Sequence, residues 1–135
     1  MFGQTKGAMG QNGPLKQVLI NGKMGTDTKI SLKGPMYELE KAIELANRGE
    51  TIVEFGKKIQ TREFDIVSFS KLIECKNINW ENLDINKIHT MKSTFGDQNS
   101  IAKELCLSFE LHSKNLIPEN FRQWLRKNTI CFVEG

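Results

Sequence analysis

Apolar and polar positions fall into a readable order from Gly34-Pro35 onward. Between Met36 and Arg48, Leu39, Ala42, Ile43 and Ala46 recur at helical spacing, and Gly49 stands just past them. This predicts an α-helix closed by a glycine. Thr51-Ile52-Val53-Glu54-Phe55 reads as a strand, and Gly56-Lys57-Lys58 as the start of a polar turn. Phe64 to Phe69 and Lys71 to Lys76 read as two further strands, and the short link between them predicts an antiparallel hairpin. The stripe Ile85, Ile88, Met91, Phe95, Ala102, Leu105 predicts a helix over about Ile85 to Leu105, with Gly96 as a candidate break. Leu107, Phe109 and Leu111 alternate with polar residues, as in a half-buried strand. Pro118 suits a helix start, Phe121, Trp124 and Leu125 give that helix an apolar face, and Thr129 to Val133 reads as a last strand. The order from Met36 is α-β-β-β-α-β-α-β, which predicts an α/β (α+β) domain with a mixed sheet.

The segment before Gly34 differs. Seven of the 11 glycines lie in residues 1–34, so this stretch is taken as a glycine-rich N-terminal segment and residues 35–135 as the folded domain. Val18-Leu19-Ile20 and Lys29-Ile30-Ser31-Leu32 are candidate short strands around a turn at Asn21-Gly22. Five lysines and Asp27 give the segment a charge of +4 out of the chain's +3, so the other 101 residues sum to −1. A basic arm on a near-neutral body is compatible with a polyanionic partner.

At 135 residues, 39% hydrophobic and 26% charged, the chain suits one globular domain. No apolar run approaches the roughly 20 residues that span a bilayer, so no membrane partner is expected. Met1 to Gly7 holds no apolar leader, which leaves export within a longer chain open. Cys75, Cys106 and Cys131 each sit in an apolar run without metal-ligand spacing, and are expected to be buried thiols.

The candidate chemistry lies on the hairpin. Glu74 and Lys76 are two apart on one strand and share a face. A turn near Phe69–Ser70 brings Asp65 opposite Glu74. Two carboxylates ~4 Å apart repel by roughly 4 kcal/mol at an effective dielectric near 20, and burial adds to that cost. A divalent cation reverses the sign. Mg²⁺ (or Mn²⁺) takes one or two carboxylates and keeps its other positions for water and substrate phosphate. It can polarise a phosphate and acidify a water, while Lys76 holds that water or neutralises developing phosphoryl charge.

Phe64-Asp65-Ile66 followed by Ile73-Glu74-Cys75-Lys76 resembles the D…ExK motif of the PD-(D/E)XK nuclease superfamily. The αβββαβ order over about residues 36–112 is similar to that of the superfamily, with Phe64 standing where its name has proline. The resemblance implies a restriction-endonuclease-like core with an extra C-terminal helix and strand, metal held by Asp65 and Glu74, and catalysis by Lys76. It also implies a glutamate from the first helix. Glu38, at the edge of the apolar face, is the first choice, Glu40 the alternative, and Glu44 faces away. Gln98 interrupts the stripe of the long helix and is a candidate contact to the metal site or substrate; a bond to backbone is equally compatible. Lys57, Lys58 and Arg62 are candidates to grip phosphates, though charged turns are ordinary. Trp80 suits a core or rim position better than base stacking, and His89 and His112 read as structural.

The implied function is metal-dependent hydrolysis of a nucleic acid, tRNA or DNA. Length and layout are similar to C-terminal toxin domains of contact-dependent growth inhibition and other polymorphic toxin systems. Such a domain would be exported within a larger protein, act in the target cell's cytoplasm, and meet a cognate immunity protein. The alternatives are a Holliday-junction-resolvase-like or repair nuclease, and a non-enzymatic immunity or inhibitor protein in which Asp65 and Glu74 are chance acids.

Overall fold

The computed structural model describes residues 33–135. The candidate strands at Val18–Ile20 and Lys29–Leu32, and nearly all of the glycine-rich basic segment, lie outside the described residues. Within them the order is α1 (Lys33–Asn47), β1 (Ile52–Ile59), β2 (Arg62–Ser68), β3 (Lys71–Lys76), a 3₁₀ turn (Trp80–Asn82), α2 (Ile85–Glu104), β4 (Ser108–Ser113), α3 (Glu119–Lys127) and β5 (Cys131–Glu134). The protein is thus α+β, with five described strands in one mixed sheet and three described helices. Strands follow one another in chain order across the sheet. β1–β2 and β2–β3 pair antiparallel, and β3–β4 and β4–β5 pair parallel, with α2 and α3 as the crossovers. No described helix is long and apolar enough to cross a membrane.

Two apolar clusters sandwich the sheet. Tyr37, Leu39, Ala42, Leu45 and Ala46 of α1 pack on Ile52, Phe55, Ile66 and Ile73. On the other face, Phe95, Ile101 and Ala102 of α2 and Phe121 and Leu125 of α3 pack on Phe64, Leu72, Phe109 and Leu111. Phe64 and Phe109 meet edge to face with centroids 6.3 Å apart, an arrangement worth about 0.5–1.5 kcal/mol beyond its buried area. The central strands are covered on both faces, so charged side chains placed there are desolvated.

Helix ends explain several departures from the sequence reading. All three described helices close with the same paired bonds. Glu50 and Gly49 donate to Leu45 and Ala46, Leu107 and Cys106 to Ala102 and Lys103, and Ile130 and Thr129 to Leu125 and Arg126. Each closure needs a left-handed residue. Gly49 (φ 96°) meets that need at no cost, whereas Cys106 (φ 59°) and Thr129 (φ 56°) carry side chains there. The expectation of three buried thiols is therefore corrected. Cys75 is buried, but Cys106 is exposed in this turn and Cys131 is exposed on the edge strand β5. Gly96 does not interrupt α2. The ends of the predicted stripe, Ile85 and Leu105, are exposed, and the buried residues of the helix fall between Phe95 and Ala102, in its C-terminal half.

Candidate active site

β1 is longer than its apolar run. It continues to Ile59, so Gly56, Lys57 and Lys58 are strand residues rather than a turn, and the reversal falls at Gln60-Thr61. Phe55 lies opposite Ile66 and Lys57 opposite Phe64, which leaves Gly56 across from Asp65. Phe55 and Ile66 belong to the cluster under α1, but Phe64 and Ile59 belong with the cluster under α2. Strict alternation would keep Phe55 and Ile59 on one face, and likewise Phe64 and Ile66. The hairpin therefore rolls over at Gly56 and Asp65. Gly56 has a φ of 63°, a conformation that costs other residues roughly 1–2 kcal/mol. Gly56→Ala is expected to lower stability by about 1–2 kcal/mol. An unchanged urea midpoint would remove Gly56 as the pivot.

The roll sets Asp65 against β3. The β2–β3 ladder runs through Val67–Leu72 and Ile66–Ile73, so the next step places Asp65 opposite Glu74. There the side chain of Asp65 takes over from the backbone: its Oδ2 accepts the Cys75 N–H at 2.8 Å. Glu74 is buried, and Nζ of Lys76 lies 3.3 Å from its Oε2. Gln98 reaches down from α2, fully buried, and its amide nitrogen donates to the Glu63 carbonyl at 2.9 Å and to Glu74 Oε1 at 3.2 Å. Gln98 Oε1 is buried without a hydrogen-bond partner.

Burial, then the charge of Asp65, pushes the Glu74 carboxyl up to about 7, against the opposing pull of Lys76 and Gln98. Burial also pushes the Cys75 thiol well up, helped by Asp65, Glu38 and Glu74. Three acids thus surround the Cys75 position.

Glu38 is buried on α1 and acts on Cys75 from that side of the sheet. Glu40 is on the exposed surface, with Lys114 3.8 Å away, and Glu44 pairs with Lys41 at 3.0 Å. Arg62 is engaged by Asp97 of α2, its Nη2 and Nε donating to Oδ2 at 2.7 and 3.0 Å, so it ties β2 to α2. Lys57 pairs with Glu54 at 3.0 Å, and Lys58 is exposed on the β1 edge of the sheet. Lys57 and Lys58 flank the Asp65 strand but are not gathered with Glu74 and Lys76. Trp80 is a core residue whose indole N–H donates to Ser113 at 2.8 Å. His112 is buried against Glu110 at 3.0 Å, and Glu110 also pairs with Lys71 at 2.6 Å. These contacts hold the Glu110 carboxyl down to about 2 despite partial burial.

The fit to a divalent cation follows from the donor set. Among the described residues no group of three or more His, Cys, Asp or Glu side chains is arranged to hold a metal. Mg²⁺ does not require one, since one or two carboxylates plus water and substrate oxygens complete its shell. Asp65 and Glu74 supply two hard oxygen donors, and the Glu74 carboxyl is pushed up by burial and then by the charge of Asp65, both of which a bound cation would offset. Residues and group are compatible. Compared with protein-family models, with curated proteins and with solved structures, the chain matches none.

Proposed function

We propose that the protein is a metal-dependent nuclease that hydrolyses phosphodiester bonds at Asp65, Glu74 and Lys76. The observation that carries this reading is the burial of Glu74 beside Asp65, burial first and the Asp65 charge second pushing Glu74 up to about 7, with the Lys76 ammonium beside it. A structural ion pair would not need the second carboxylate. Asp65 and Glu74 would hold the cation, which when bound neutralises phosphate charge and acidifies water. Lys76, half exposed, faces the position where negative charge builds on the phosphoryl oxygens and stabilises it. Gln98 fixes the Glu74 carboxylate and keeps one of its oxygens from rotating. Glu38 supports the site from the α1 side through the dense negative field around Cys75.

Gln98→Leu is expected to weaken Mn²⁺ binding roughly tenfold or more. Calorimetric titration reads this directly, and unaltered affinity would remove Gln98 from the site.

The reading is tested by incubating the chain with plasmid DNA and with total tRNA, in Mg²⁺ or in chelator. Cleavage that needs the metal and disappears in Glu74→Ala supports it. Intact substrates under all conditions favour a non-enzymatic binding protein. We place the chain among interbacterial toxin domains on its size and its glycine-rich basic lead-in. That placement predicts growth arrest on cytoplasmic expression in bacteria, relieved by Glu74→Ala and by a cognate immunity protein.

A further inference from the structure

A cavity of about 510 Å³ opens beside Lys76, where the chain leaves β3 and turns into α2. Such a volume lies within the roughly 300–1,000 Å³ of small-molecule sites. Ile78, Leu83 and Met91 form its apolar part, each partly covered and packed against the core. Lys76 and Lys87 stand at its rim against one acid, Asp84. The frame is fixed on three sides. Trp80 is buried and bonded to Ser113. The Ile78 carbonyl accepts from Asn115 at 2.7 Å. Asp84 caps α2 through the Lys87 N–H at 2.8 Å. The cleft is therefore held open without a ligand.

Aliphatic walls beside two lysines suit one type of occupant: an apolar-faced heterocycle joined to a phosphate. We propose that this cleft receives an unstacked nucleobase whose neighbouring phosphate lies at Lys76, so that the substrate is single-stranded or looped nucleic acid rather than intact duplex. The proposal rests on the nuclease reading and adds the substrate class to it. A base inside a duplex is stacked and paired and must be extruded, at a cost of a few kcal/mol, before it enters a concave site. An unpaired loop or end presents the base without that cost. Met91, unbranched and polarisable, can adapt to purines and pyrimidines alike, so the cleft selects an unpaired state before it selects a base.

The test separates the two claims. The full chain in chelator is titrated with the four nucleoside 5′-monophosphates and, separately, with inorganic phosphate, while methyl NMR shifts of Ile78, Leu83 and Met91 are followed. The nucleotides are expected to shift these methyls saturably and phosphate alone to leave them in place. Thr90→Trp is the partner variant. Thr90 is an exposed α2 residue on the cleft wall, so the indole fills the cleft without entering the core. It is expected to weaken nucleotide binding at least tenfold and to slow cleavage of a looped RNA at least tenfold. Methyls that ignore nucleotides, methyls that respond equally to phosphate, or wild-type binding by Thr90→Trp would each overturn the cleft assignment, whatever the nuclease activity. Nucleotide-dependent methyl shifts lost in Thr90→Trp, with no cleavage of any nucleic acid, would keep the cleft as a nucleotide site and reject the nuclease reading. Faster cleavage of duplex than of looped substrate would overturn the proposed substrate class.

Discussion

Lys76→Met is expected to lower metal-dependent cleavage by at least ~100-fold while leaving the fold intact, a loss of the size seen when one charge-stabilising donor is removed from a reaction centre. Methionine keeps the length of the stem and deletes only the ammonium. Two mechanisms could produce the loss, and they separate by pH. Lys76 pulls the pKa of Glu74 down, so its removal leaves Glu74 protonated at higher pH. If that were the whole effect, raising the pH well above 8 would ionise Glu74 and restore the rate. Direct stabilisation of the phosphoryl oxygens by the ammonium predicts that the rate stays low at every pH. Single-turnover rates for wild type and variant between pH 6 and 9.5 decide it. Full recovery at high pH would demote Lys76 to a positioning residue acting through Glu74, and an undiminished rate at pH 7 would remove it from the site.

The hairpin could be read from the sequence because its chemistry is local. Ser68 and Lys71 are too close for anything but a tight reversal, and that reversal fixes which residues of β2 and β3 oppose one another. α1 was legible for a similar reason, since Gly49 marks its end and its apolar face is regular. β1 was not. Gly56 resembles a turn signal, and the register shift near Val53 followed by the roll at Gly56 breaks the alternation that identifies a strand. The closures at Cys106 and Thr129 were illegible because the left-handed position is filled by residues that ordinarily avoid it. Exposure of Cys131 depended on which strand lies at the sheet edge, a property of topology rather than of local pattern.

The site itself divides along the same line. Gln98 stood out as an amide in an apolar stripe, and the structure sets it between the Glu63 carbonyl and Glu74. Arg62 gave no sign that Asp97, 35 residues away, engages it. The cleft beside Lys76 had no sequence signature, because Ile78, Leu83 and Met91 come from three different local structures and look like ordinary core residues in each.

Glu74→Gln is expected to destroy activity and yet raise stability at neutral and alkaline pH when no metal is present. The pKa of Glu74 is raised on folding, from 4.5 to about 7, by burial and then by Asp65. The folded state therefore prefers the protonated carboxyl. Its contribution is fully present below about pH 4.5 and is lost as pH rises through about 7. The full loss corresponds to about 3 kcal/mol, of which roughly 1–2 kcal/mol is expected once Lys76 and Gln98 readjust. Glutamine keeps the shape and a hydrogen-bond acceptor for Gln98 but carries no charge. In chelator at pH 8 its Tm should exceed that of wild type by roughly 5–10 °C, and the gap should close towards pH 5. Adding Mg²⁺ should raise the wild-type Tm and leave the variant unmoved, since a cation stabilises only the form that binds it. A variant less stable than wild type at pH 8, or a gap that does not vary with pH, would mean that burial beside Asp65 does not penalise the Glu74 carboxylate. A cation between the two would then have no buried charge to offset. The expected pattern describes a protein that gives up stability to keep two charges together, as a fold does when those charges serve a ligand rather than the core.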